Sequence, residues 1–154
     1  MAAFFVWLEG TRMAITVRDS LMLTGALSAV HLVGFTLTTG GALVANLNLL
    51  GVLFPGRPPI EVTRPASRGI ALGLTISALT GLLLFAPRAT VASVNGIFQT
   101  KMLLLVAAVL FHALVHQRIA ASTVSASARR GTGAIGLLLW TSLALAGCAY
   151  ILLE

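Results

Sequence analysis

The stretch Leu21-Met-Leu-Thr-Gly-Ala-Leu-Ser-Ala-Val-His31-Leu-Val-Gly34-Phe-Thr-Leu-Thr-Thr-Gly40-Gly41-Ala-Leu-Val-Ala-Asn46-Leu-Asn48-Leu-Leu50 contains no Asp, Glu, Lys or Arg. A hydrocarbon core about 30 Å thick takes roughly 20 helical residues to cross. The run, read as a span over about 20–50, is longer than one crossing needs. A tilt or a break is therefore expected, with the Gly40-Gly41 pair as the place for a kink.

The rest of the chain agrees with this reading. Of its 154 residues 58% are hydrophobic and 9% charged, against roughly 25% charged in an average soluble domain. Fourteen charges cannot cover a globular surface, and a mean hydropathy of +1.00 excludes a disordered chain. Three more spans are expected over about 66–85, 98–119 and 133–153. They are separated by the loop Phe54-Pro55-Gly56-Arg57-Pro58-Pro59, by Pro87, and by a Ser/Ala-rich connection ending in Arg129-Arg130; Pro65 is expected to start the second helix. Residues from about 3 to 17 are too short and too interrupted by Glu9, Gly10 and Arg12 to span. They read as an interfacial helix with Phe4, Phe5 and Trp7 at headgroup level. The expected fold is all-α: one integral membrane domain, a four-transmembrane-helix bundle with a short N-terminal interfacial helix.

Net charge is +6, but the basic residues are dispersed between apolar segments, which points to loop orientation and not to nucleic acid. Arg57, Arg64, Arg68, Arg118, Arg129 and Arg130 share one side; Arg12, Arg18, Arg88 and Lys101 share the other. This bias places the chain in a bacterial inner membrane with both termini periplasmic. The lone Cys148 excludes an internal disulfide, and no Cys-x-x-Cys-His run offers covalent haem attachment. No acidic residue lies inside a span, and no Gly-x-Ser-x-Gly, Walker or His-Glu-x-x-His motif occurs. Hydrolase, ATPase and carboxylate-based transporter readings therefore have no support, and an accessory or electron-transfer role is favoured over a stand-alone enzyme.

In the second span Gly69, Gly73, Ser77 and Gly81 recur every four residues. Small residues on successive turns let helix backbones approach closely, as an internal packing seam, a homodimer seam or a ligand groove. Asn46 and Asn48 need partners at a helix end or in a polar site.

The groups in the apolar segments suited to redox or metal chemistry are His31, His112 and His116. His31 follows Asp19 by 12 residues and His112 follows Lys101 by 11. At 1.5 Å per residue these are depths of about 18 and 16 Å, provided that Asp19 and Lys101 mark the same interface. His116 is one turn beyond His112 on the same face and is expected near the headgroups. Gly34 and Ala108 would leave space beside the rings for a flat macrocycle. Two neutral imidazoles at matched depth suit a six-coordinate haem b, with His31 and His112 as iron ligands. Structural, proton-handling and other metal roles stand as alternatives.

Several stretches together resemble a family of small four-helix bacterial membrane proteins of unassigned function. They are His31-Leu-Val-Gly34, Gly41 through Asn46 and Asn48 to Gly51, Gly73 with Thr80-Gly-Leu-Leu-Leu-Phe85, and Asn95-Gly-Ile-Phe-Gln-Thr-Lys-Met-Leu-Leu104. That family is distantly similar to membrane cytochrome b subunits and copper-resistance membrane domains. The resemblance implies the four-helix fold and, for function, only His31. Where the family carries a charged pair, this chain has Asn46 and Asn48.

The leading expectation is a membrane b-type cytochrome, or a haem-bearing anchor subunit, passing electrons between a redox partner and quinone. A cofactor-free assembly subunit, packing through the glycine stripe against itself or a larger membrane complex, is the second reading. A metal or small-molecule carrier is the third.

Overall fold

The computed structural model describes residues 2–152, with no strand among the described residues. Two short helices, α1 (Ala2–Glu9) and α2 (Arg12–Asp19), lead into α3 (Leu21–Leu50). α4 (Pro59–Phe85) returns alongside it, and a 3₁₀ turn at Ala86–Arg88 joins it to α5 (Ala89–Val94). α6 (Gly96–Phe111), a π-helical segment His112–His116 and α7 (Gln117–Ala121) form the next rod, and α8 (Ala126–Leu152) the last. Among the described residues, the segments 21–50, 59–94, 96–121 and 126–150 are the four that are long and apolar enough to cross a membrane. Leu32, Leu72, Leu103 and Leu138, one from each rod, are more than half exposed. A water-soluble fold buries such side chains; a bilayer accepts them.

Local chemistry moves several boundaries. The second helix starts at Pro59, not after Pro65, because Pro is pre-set for the first helical position. Pro65 sits inside α4, one turn after Glu61, whose carbonyl has no N–H from Pro65 to accept. Arg64 and Arg68 are therefore helical. Arg129 and Arg130, expected to close a loop, belong to the first turns of α8. The Ser125 hydroxyl caps that helix, accepting from the Ala128 N–H at 3.2 Å. Leu153, the expected end of the fourth span, lies outside the described residues. Asn95 starts α6 by accepting from the Ile97 and Phe98 N–H groups at 2.9 and 3.1 Å.

The N-terminal region is two helices, not one, broken at Gly10-Thr11, where Thr11 caps α2. Phe4 and Trp7 are exposed, as an interfacial helix requires. The Glu9 carboxylate ties α1 to α5, accepting from the Thr90 N–H at 2.7 Å and the Thr90 hydroxyl at 2.6 Å. The Thr90 hydroxyl, then its N–H, hold the Glu9 carboxyl below its ordinary pKa.

α3 runs through Gly40-Gly41 without a break. Gly41 instead serves close approach: a Cβ there would come within 2.9 Å of the Ala66 carbonyl oxygen. The same seam continues up the α3–α4 pair. A Cβ on Gly34 would meet Ser77 Oγ at 2.6 Å, and one on Gly73 would meet the Gly34 oxygen at 2.5 Å. Gly73, Ser77 and Gly81 are thus consumed inside the bundle, while a Cβ on Gly69 would meet nothing within 4 Å. Ala42, Ile70, Ala108, Trp140 and Leu143 form the buried centre where the rods meet.

Candidate functional site

α3 sets His31 against α4. Its Nδ1 lies 3.0 Å from Thr80 Oγ1, and that hydroxyl already donates to the Ile76 carbonyl at 2.7 Å. The imidazole Nδ1–H is therefore the donor, and His31 is a partnered, half-buried side chain. His112 meets α4 elsewhere, its Nε2 2.9 Å from Ser67 Oγ. Ser67 and Thr80 are 13 residues apart on one helix, or about 20 Å at 1.5 Å per residue. His31 and His112 are not at matched depth.

The premise that fails is the shared interface. Phe85, Phe98 and Tyr150 form a continuous aromatic layer, with ring centroids 5.2 and 5.6 Å apart. Lys101 belongs beside this layer, its Nζ 5.9 Å from the Tyr150 ring centroid. Asp19 precedes the whole of α3, two turns or more beyond it, because α3 has 30 residues and overshoots the layer. Two axial ligands of one iron must flank it at one depth, so His31 and His112 do not fit a shared haem. The expected room is also taken. Gly34 is filled by Gly73 and Ser77, and Ala108 is fully buried in the core beside Trp140.

The structure brings together a different pair. The rings of His112 and His116 lie 4.7 Å apart, centroid to centroid, at an interplanar angle of 31°. Both belong to the π-helical segment, closed by the Gln117 N–H donating to the His112 carbonyl. Such segments are rare and concentrate at functional sites. Trp140 of α8 meets the His112 ring edge-on, with centroids 6.4 Å apart and an interplanar angle of 77°. His116 is only 1% exposed. The Ala45 backbone is its neighbour, yet neither of its ring nitrogens reaches a partner in hydrogen-bonding geometry.

His112 Nδ1 is also unpartnered, as are the side-chain oxygens of Asn46 and Asn48. Asn46 is fully buried, its Nδ2 donating to the Ala42 carbonyl at 2.7 Å, and its side chain packs onto Gly136. Gly136 and Trp140 are one turn apart on α8, so Asn46 and His112 approach the same helix face at neighbouring levels. An orphaned buried polar atom costs about 1–3 kcal/mol. Three such nitrogens on one pair of neighbouring rings therefore mark a place where something is missing from the hydrogen-bond account. Ser67 escapes motif reading because a single hydroxyl in an apolar helix has no spacing partner; only the inward direction of its helix face singles it out.

Two imidazoles holding one ion at about 2.0–2.1 Å with a near-tetrahedral angle have ring centres about 5 Å apart. The observed 4.7 Å fits that clamp. Among the described residues no cluster of three or more His, Cys, Asp or Glu side chains could hold a metal, so these imidazoles would be supplemented only by neutral oxygens.

The chain belongs to DUF6644, a family of unknown function whose sequence pattern matches residues 4–151. No curated protein and no solved structure matches it.

Proposed function

We propose that this member of a family of unknown function is a membrane-embedded metal-binding protein, with the His112–His116 pair as its ligands. The observation that carries the reading is the buried pair of neighbouring rings with three nitrogens lacking a partner in hydrogen-bonding geometry. With the His112 Nε2–H donating to Ser67, Nδ1 keeps its lone pair for an ion, and Ser67 fixes the ring as an outer partner. His116 offers either nitrogen.

Charge selects the ion. No carboxylate or thiolate compensates it here, and the Born cost of burying an ion grows as the square of its charge. A monovalent ion therefore costs about a quarter of a divalent one of equal size. Imidazole suits copper and zinc among first-row metals, and Cu(I) is the monovalent choice among them; two imidazoles hold it near-linearly, so the rings, 4.7 Å apart, would open on binding it unless neutral oxygens complete its shell. The function that follows is Cu(I) carriage within the membrane.

Full-length protein in detergent, titrated anaerobically with Cu(I) against a chromogenic Cu(I) chelator, tests the reading. One Cu(I) per chain is expected, with affinity falling at least tenfold in His112→Leu and in His116→Leu and unchanged in His31→Leu. Circular dichroism on each variant separates loss of site from loss of fold. No competition by the wild type, or a Soret band after haem-replete expression, would overturn it.

A further inference from the structure

At the end of the bundle where α3 stops and α8 starts, a cavity of about 220 Å³ lies between the two helices and the loop joining α3 to α4. Arg57 from the loop and Arg129 and Arg130 from the first turns of α8 line it together with Asn48, Leu50 and Phe54. No carboxylate joins them. Among the described residues the only salt bridge is Arg18–Asp19, in α2 at the start of the chain. Glu61, the nearest acidic side chain in sequence, lines a separate groove beside Arg57.

The loop is built to hold this arrangement. Asn48 Nδ2 donates to the Leu53 carbonyl at 3.0 Å, which ties the loop to the end of α3. Gly51 ends α3 in the left-handed conformation at φ 81°, and Phe54 adopts φ 50°. A non-glycine residue there costs energy and persists only where its surroundings hold it. The strained turn brings the Phe54 ring under the Arg57 guanidinium, 5.6 Å from its centroid, and the Arg57 N–H bonds the Phe54 carbonyl at 3.0 Å. The α8 amino terminus adds its positive dipole end to the same space.

We propose that this cavity binds the phosphodiester headgroup of an anionic phospholipid. Three arginines lining one cavity that no carboxylate lines, at a helix amino terminus, match a phosphate. The cavity is smaller than the roughly 300–1,000 Å³ of sites that enclose a whole drug-sized molecule, so it takes a headgroup and leaves the rest outside. It sits where a membrane-crossing helix ends, and its apolar walls at Leu50 and Phe54 suit the glyceryl region next to a phosphate. Basic pockets between transmembrane helices at the headgroup level are the physical setting in which anionic lipids are held. This site is independent of the histidine pair and stands whether or not a metal binds.

Native mass spectrometry of the delipidated full-length protein, offered phosphatidylglycerol and phosphatidylcholine of identical acyl chains, tests the proposal. Phosphatidylglycerol is expected to be retained with a preference on the order of tenfold or more, and Arg129→Gln/Arg130→Gln to abolish the preference. Arg57→Gln should weaken it with the fold intact by circular dichroism, and Arg12→Gln/Arg18→Gln should leave it unchanged. Equal retention of the two lipids, or equal loss in the Arg12/Arg18 control, would overturn the proposal. Displacement of the lipid by excess inorganic phosphate alone would reassign the site to a soluble anion and overturn the lipid assignment.

Discussion

Gly34 and Gly73 bring the backbones of α3 and α4 into direct approach: a Cβ on Gly73 would lie 2.5 Å from both the Gly34 carbonyl oxygen and Thr38 Oγ1, and 2.6 Å from the Thr38 nitrogen. In lipid, where apolar side chains gain nothing by leaving their solvent, such close backbone approach is what holds helices together.

Gly73→Leu should therefore force α3 and α4 apart and destabilise the bundle by at least the 1–3 kcal/mol typical of overpacking. Gly69→Leu, where the space is open, should cost nothing measurable or gain a few tenths of a kcal/mol through helix propensity. Unfolding of both variants in mixed detergent, followed by circular dichroism, checks the contrast. Equal losses would show that the two glycines are not distinguished by their neighbours.

Gly136→Ala places its methyl on the buried Asn46 side chain. Asn46 is tethered to the Ala42 carbonyl and cannot swing away without losing that bond. A destabilisation of about 1–3 kcal/mol is expected, with Gly131→Ala, facing open space, as the neutral comparison. The same unfolding measurement reads it.

Ser67→Ala removes the hydroxyl 2.9 Å from His112 Nε2. If the histidine pair holds an ion, loss of the orienting partner should lower its affinity by about 10–100-fold while leaving both ligands in place. Chelator competition with Ser67→Ala beside the wild type checks this, and Ser67→Thr, which keeps the hydroxyl, should recover most of the loss.

The Glu9–Thr90 link predicts a pH dependence of the N-terminal helices. Thr90's hydroxyl and N–H stabilise the charged carboxylate, with Arg18 adding a smaller favourable charge, so the folded pKa lies below the ordinary 4.5. The linkage is fully present above 4.5 and is lost as pH falls through the lowered folded value. Hydrogen exchange in α1 should therefore accelerate at acid pH. Thr90→Val should move the onset of that acceleration to higher pH, and an onset that does not move would count against the link.

The four spans were legible because an uncharged run of bilayer length has few other physical outcomes. Helix ends were less so. Pro65 and Arg129-Arg130 look like loop residues, but a proline in an early turn breaks only one bond, and Ser125 caps α8 before the arginines arrive. The glycine stripe was readable as a seam, though only its neighbours decide that Gly73 is inside and Gly69 is not. The histidine site was half-legible. His112 and His116 share a face by spacing alone, whereas pairing His31 with His112 required two charges to mark one plane. Lys101 instead lies beside the Tyr150 ring, and α3 overshoots that layer. The π-helical turn that sets the pair has no signature in a run such as His-Ala-Leu-Val-His.

The backbone seam between α3 and α4 also bears on how the protein is made. A helical hairpin closed by Gly34, Gly41 and Gly73 needs no third helix to complete its contact, and its short turn lets both arms leave the insertion machinery as one object. α6 and α8 meet around Trp140 and the histidines only after the hairpin is in place. Synthesis order then brings the polar pair, carried on the third rod, against a hairpin already built, and α8 closes over it afterwards.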